Sequence, residues 1–270
     1  MRLNKVKNAK IQSSSLLAKP SIQKALGIRS FLKSIEVLDS VDSTNSYGKR
    51  LLLDGVSEAT MIVAEEQTQG RGRFGRTWEG EKGKNLTFSL VVSPGISQQK
   101  FGVLPLLTEL GVADAVASVA RIESATKWPN DLLIAGKKVC GILLETVSSR
   151  PDMVVIGVGL NVNQSQFSPG LNATSLSLEH GKPIDRLELL VSILHRLDWL
   201  ARPLMPEKVS AMLTEWQARC SMMRKSVRVE MENGIVSGFA RGIADDGALL
   251  LVVNGTEQLV HAGEVTILST

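Results

Sequence analysis

Apolar positions in this chain fall mostly into short runs set off by Gly, Pro, Asn and Asp, with a few longer stretches of helical period. Ile35–Leu38, Met61–Ala64, Leu86–Val92, Val139–Thr146 and Met153–Val162 read as strands. Asp42-Ser43-Thr44-Asn45 offers caps for a helix over Tyr47–Leu53, which Asp54-Gly55 closes. Val103–Ala120 predicts a helix with Leu106, Leu110, Ala113 and Ala117 on one face, and Glu109 and Asp114 elsewhere. Arg186–Leu200 and Glu207–Arg219 predict amphipathic helices, held apart by Pro203 and Pro206. From Val227 the pattern changes to close-set strands: Val227–Met231, Ile235–Ile243, Ala248–Val253, Glu257–His261 and Val265–Leu268. Asn233-Gly234, Asp246-Gly247 and Asn254-Gly255 between them favour tight hairpins. The fold class is therefore α+β: a mixed sheet with flanking helices and no regular βαβ alternation, plus a small C-terminal antiparallel β-barrel. The expected division is a basic, partly disordered arm over 1–34, a larger mixed body over 35–220 and a barrel module over 221–270.

Composition narrows the chemistry. A 43% hydrophobic content supports a core, and 21% charged residues is ordinary. Cys140 and Cys220 lie far apart without CxxC spacing, which excludes a disulfide framework or zinc site and fits a reducing, cytoplasmic setting. His180, His195 and His261 are widely separated, so histidine-centred catalysis is not expected. The net charge of +4 hides an asymmetry: residues 1–35 hold eight Lys/Arg and no acid, and the rest carries 23 basic against 27 acidic residues. A basic arm precedes a mildly acidic body, so no protein-wide nucleic-acid surface is expected. The arm lacks the apolar core of a signal peptide, and without a run of 18 uncharged apolar residues no membrane span is expected.

The richest stretch is Gln67–Trp78, which packs three glycines and three arginines into the seven residues Gly70–Arg76, directly after a strand. Glycines let backbone approach a ligand, and Arg presents rigid forks for carboxylate and phosphate oxygens. Gly70, Gly72 and Gly75 satisfy the G-x-G-x-x-G pattern, but no helix opens after them, so the dinucleotide-binding reading fails. Three further clusters share a polar, anion-seeking character. Ser43-Thr44-Asn45 marks a helix start, where the alternative is simple capping. Lys127-Trp128-Pro129-Asn130-Asp131 leads to Lys138-Val139-Cys140-Gly141 at the mouth of a strand. Gly157-Val158-Gly159-Leu160-Asn161 lies within a strand, where absent side chains let something rest on the backbone, a bulge or tight packing being the alternative.

In this order, the STN triplet, the GRGRFGRTW loop, KWPND, the KVCGIL segment and GVGLN resemble the biotin protein ligases, from about Ile35 to the C-terminus. The resemblance implies a class II synthetase-like catalytic domain with a Src-homology-3-like barrel. It also implies activation of biotin by ATP, with Mg²⁺, to biotinyl-5′-AMP, and transfer to a lysine of the biotin carboxyl carrier protein of acetyl-CoA carboxylase. It gives Lys138, Arg71 and Arg73 the catalytic role. It places biotin among Ser43, Thr44, Asn45, Gln67, Gly70, Arg71, Gly72, Arg73, Lys138 and Gly141, and the adenylate among Arg71, Arg73, Arg76, Trp78, Asn130, Asp131, Lys138 and Asn161. Asp131 would also help to place Mg²⁺ or take a proton from the acceptor lysine; no dedicated metal ligands are assigned. The arginine loop would order as a lid over ligand. Relatives that repress transcription carry a winged-helix domain too large for the residues before Ile35, so no operator binding is expected. Leu268 stands where relatives often have Arg, so the resemblance carries no nucleotide contact into the barrel. A homodimer is compatible with an exposed sheet edge. The rival readings are a lipoate or octanoate ligase, whose His-containing motif is missing here, and a nucleic-acid-binding regulator using the basic arm.

Overall fold

In the computed structural model, residues 17–28, 30–57 and 59–268 are described. The expected arm over 1–34 therefore lies half outside them. What is described of it is helix α1 (Lys19–Leu26), with Leu17, Ile22 and Leu26 buried in the core. The body then runs β1 (Ser34–Leu38), α2 (Thr44–Leu53), β2 (Thr60–Ala64), β3 (Leu86–Val92) and α3 (Val103–Ala120). It continues through β4 (Ala125–Lys127), β5 (Asp131–Ile134), β6 (Lys137–Val147), β7 (Arg150–Leu160), α4 (Leu176–His180), α5 (Arg186–Arg196) and α6 (Pro206–Ala218). Its seven strands form one mixed sheet in the order β1-β2-β3-β7-β6-β5-β4, parallel only between β1 and β2. The second sheet, β11-β10-β9-β8-β12, is antiparallel throughout. Its strands are β8 (Ser226–Met231), β9 (Gly234–Ile243), β10 (Leu249–Val253), β11 (Thr256–Val260) and β12 (Glu264–Ile267). The mixed sheet with flanking helices and the small terminal β-module are the expected fold class.

Several local expectations shift. The second helix opens at Thr44, not Tyr47. Ser43 is its N-cap, and its hydroxyl accepts from the Ser46 N–H at 3.5 Å, so Thr44 and Asn45 already belong to the first turn. Helix α3 is buried nearly all round, not amphipathic as its pattern suggested, because the sheet covers one side and α5 and α6 the other. Glu109, expected away from the core, is fully buried and accepts from the Trp216 indole N–H at 3.0 Å. Desolvation holds its carboxyl well above the usual range, only partly offset by that bond. Among the described residues α3 is the one helix with the length and hydropathy of a membrane span, and most of it is packed inside the protein. Strands β4 and β5, too short to show a period, flank the Trp128–Pro129 turn, whose peptide bond is cis. The Asn254-Gly255 hairpin appears as read, with both residues at positive φ.

Two contacts position the site. Glu65, just after β2, forms a buried ion pair with Arg186 at 2.7 Å and accepts from the Leu17 N–H at 2.6 Å. This fixes the root of the arginine loop to α5 and to the chain before α1. Trp128, buried, donates to the Gly247 carbonyl at 2.9 Å and pins the β9–β10 turn to the body. Cys140 and Cys220 are both buried and free; burial pushes their thiols up, Cys220 to about 11.

Candidate active site

The clusters that lie apart in sequence converge on one cavity of about 270 Å³ over the middle of the large sheet. Its floor is β6 and β7, where Gly141 faces Gly159 across the ladder. The absent side chains are used by the protein itself. A Cβ on Gly159 would strike the Trp78 indole, with Cζ2 at 2.7 Å and Nε1 at 2.8 Å, and one on Gly157 would strike the Asn45 amide. One on Gly141 would press on Lys138 Cε and the Trp78 ring, both at 3.2 Å. What rests on the GVG backbone is therefore Asn45 and Trp78, tight internal packing that makes the cavity wall. Lys138 lies over the Trp78 ring, Nζ 5.7 Å from the centroid, and pairs with Asp131 at 2.6 Å.

The start of α2 forms the polar end. Thr44 donates to Gln67 Oε1 from its N–H at 2.8 Å and from its hydroxyl at 3.0 Å. Ser89, buried and overlooked in the sequence, sits 2.7 Å from the Thr44 hydroxyl and 2.6 Å from Asn45 Oδ1. Asn45 also donates to the Leu143 carbonyl at 3.0 Å and to Glu145 at 2.9 Å. Both faces of the Asn45 amide are thus used inside the fold, so it shapes this end of the cavity through its neighbours. Glu145 takes Lys49 at 2.5 Å as well. Burial works against its charge, but the bonds from Lys49 and Asn45 hold its carboxyl below the usual range.

The arginine loop forms the roof. It leaves the sheet through Gly70, which does not line the cavity: its carbonyl accepts from the Trp78 N–H at 2.9 Å, and a Cβ there would meet the Trp78 backbone. Gly72, Arg71, Arg73 and Arg76 do line it. Arg71 donates to Ser46 Oγ at 2.6 Å and stands 3.8 Å from Glu145. Arg76 forms a two-pronged pair with Glu264, and Arg73 donates to the Gly263 carbonyl at 3.3 Å. The second sheet therefore supplies Gly263, Glu264 and Val265 to the wall, whereas Leu268 stands away. Burial pulls the Arg73 and Lys127 pKa values down, against the field of Asp131 in each case.

Asn130 is locked to β6, donating to the Ile142 carbonyl at 2.7 Å. Asn161 donates to the Thr174 carbonyl at 3.0 Å, while its own buried Oδ1 has no partner among the described residues. Trp78 Nε1, also buried, likewise has none among them. Such orphans cost about 1–3 kcal/mol each unless a ligand satisfies them. Every candidate residue except Gly70 lines the cavity. Among the lining residues, Phe74 and Lys127 stand inside the quoted motifs but were given no role, and the lip formed by Phe167, Leu171 and Ala173 carries no local signal. Ser89, buried behind Thr44 and Asn45, was missed altogether. None of the three histidines reaches the cavity.

Residues 37–161 match the model of the biotin/lipoate A/B protein ligase family, and residues 225–268 that of the biotin protein ligase C terminal domain. The chain is 37% identical over 239 residues to the biotin–[acetyl-CoA-carboxylase] ligase of Mycobacterium tuberculosis, covering 84% of this chain and 88% of that one. With the bifunctional ligase/repressor BirA of Bacillus subtilis it shares 34% over 235 residues, 85% of this chain and 72% of the relative. Its fold overlays the Aquifex aeolicus biotin protein ligase in complex with biotin and ATP at a TM-score of 0.76. That likeness carries 29% identity and covers 88% of this chain and all of the other.

Proposed function

Because this chain belongs to the biotin protein ligases, we propose that it charges the biotin carboxyl carrier protein of acetyl-CoA carboxylase, and that the cavity is where it does so. The observation that supports this reading is the convergence of Lys138, Arg71, Arg73 and Arg76 on a single chamber with an apolar floor. Forming the adenylate requires a carboxylate to approach a triphosphate, and two anions meet only where fixed positive charge offsets their repulsion. Lys138, which lines the same chamber beside Trp78 and Asp131, is the group assigned to hold carboxylate and α-phosphate together. The carboxylate oxygen attacks the α-phosphorus, the bond to the bridging oxygen breaks, and pyrophosphate leaves toward Arg73, Arg76 and Lys127. Gln67, with Ser43 and Thr44, takes the ureido ring. Trp78 and the orphaned Asn161 Oδ1 face the adenylate.

In the second step the acceptor lysine attacks the acyl carbon and AMP departs. Asp131, held by Lys138, receives the proton of the incoming amine. The arginine loop, bound at both ends by Gly70 and Trp78, closes over the anhydride and keeps water from it. Mg²⁺ fits as a companion of the nucleotide. Among the described residues no group of three or more His, Cys, Asp or Glu could hold a metal alone, but an ion held mostly by phosphate oxygens needs only one or two carboxylates, and Asp131 would serve as one in the first step, before it takes a proton in the second. The ion's chemistry there would be to neutralise phosphate charge.

The test is labelled biotin with ATP, Mg²⁺ and a carrier domain, read as label on the carrier after denaturing electrophoresis. Transfer that is ATP-dependent and lost in a carrier without its target lysine supports the proposal. A carrier left unlabelled by an enzyme that makes adenylate would remove the acceptor assignment.

A further inference from the structure

The three loop arginines are held by chemically different partners. Arg71 has the Glu145 carboxylate 3.8 Å away, and Arg76 is clasped by Glu264. Arg73, among the described residues, has no carboxylate at ion-pair distance. It makes the 3.3 Å bond to the Gly263 carbonyl, and its guanidinium carbon lies 4.8 Å from the centroid of the Phe74 ring. A carboxylate cancels the charge it holds. An aromatic face and a carbonyl hold a cation in place and leave its charge whole for another anion.

Phe74 also has a backbone unusual for its type. It sits at φ 55°, ψ 33°, left-handed, where a bulky side chain is rarely found. Its ring is 51% exposed and lines the cavity, so burial of apolar surface does not explain it. The turn at Phe74 is what brings the ring to the Arg73 guanidinium, and strain of this kind persists where surroundings enforce a geometry that matters. Burial lowers the Arg73 pKa and the field of Asp131 works the other way, but no carboxylate reaches ion-pair distance among the described residues.

We propose that Phe74 is a positioning residue for the first half-reaction, presenting Arg73 to the anionic substrate outside any ion pair. This rests on the biotin ligase reading of the cavity. Arg71 and Arg76 contribute charge while also holding the loop to α2 and to the second sheet, and Arg73 is the loop arginine whose charge is offset least.

The experiment is biotin-dependent ATP–pyrophosphate exchange with the full chain, measured against ATP concentration for wild type, Phe74→Leu, Phe74→Asn and Phe74→Tyr. Leu keeps apolar bulk without a π face. Asn tolerates the left-handed backbone and so relieves strain, also without a ring, and Tyr keeps the ring. Leu and Asn are expected to lower kcat/KM for ATP about tenfold, the size of a partly desolvated cation–π contact, while Tyr stays within about twofold. In an Arg73→Gln background the Leu change should cost nothing more, since both act through one contact. Wild-type kcat/KM in Leu or Asn, an equal loss in Tyr, or full additivity with Arg73→Gln would overturn the proposal. A wild type without exchange overturns the ligase reading itself, whereas an active wild type with indifferent variants sinks only the role of Phe74.

Discussion

Gly159→Ala tests whether the GVG segment serves ligand or protein. Ordinary contact at a Cβ begins near 3.4 Å, and Trp78 Cζ2 would stand at 2.7 Å, so the indole must retreat by at least the 0.7 Å difference. It cannot retreat alone, because Lys138 lies beside the ring, against the same Gly141, and pairs with Asp131. The shift is therefore expected to pass to Lys138, the lysine proposed to span both anions. A displacement of roughly 1 Å in a reacting assembly costs about 10²-fold in rate, while overpacking at one site costs about 1–3 kcal/mol of stability. The expected outcome is a folded protein with pyrophosphate exchange reduced about a hundredfold. Its unfolding midpoint should fall by only a few degrees. Trp78→Phe, which shortens the ring, should recover part of the loss in the double variant, giving a non-additive cycle. Exchange at the wild-type rate in Gly159→Ala, or strictly additive losses, would refute the coupling of strand, indole and lysine.

Lys138→Ala should lower adenylate formation by about 10²–10³ with little change in melting; exchange at a normal rate from the folded variant would remove it from catalysis. Arg186→Met strands the Glu65 carboxylate in the core, and breaking a buried pair costs about 3–5 kcal/mol. A large drop in the urea midpoint should follow, and an unchanged midpoint would show the pair to be dispensable. Burial raises the folded-state pKa of Glu109 well above the ordinary carboxylate range. Its folded state is therefore penalised progressively as pH rises from that range toward the raised value, since only the unfolded chain gains the charge freely. Glu109→Gln should become more stabilising relative to wild type over that rise, and a pH-independent difference between the two would contradict the assignment.

What the sequence revealed and what it hid follow from distance along the chain. The arginine loop and Lys127–Asp131 were legible because their charges are local and cannot be buried together without a reason. The Glu145 and Glu264 partners of those arginines come from β6 and β12, and nothing near Arg71 or Arg76 in sequence points to them. The glycines of β7 were read correctly as room for something, but the occupants, Asn45 and Trp78, could be seen only once α2 and the loop had been folded over the sheet. Helix α3 was found by its period and given the wrong exposure, because Glu109 looks like a solvent-facing residue until Trp216 is placed beside it. Attention at the C-terminus fell on Leu268, while the cavity is met three to five residues earlier, at Gly263–Val265.

Because Glu264 and Val265 belong to β12, one wall of the cavity comes from the second sheet and not from the large one. That wall stands only while β12 pairs with β8, and the same edge holds Arg73 and Arg76. A substitution that unzips β12 from β8 should therefore open the cavity and free two arginines while leaving the large sheet intact.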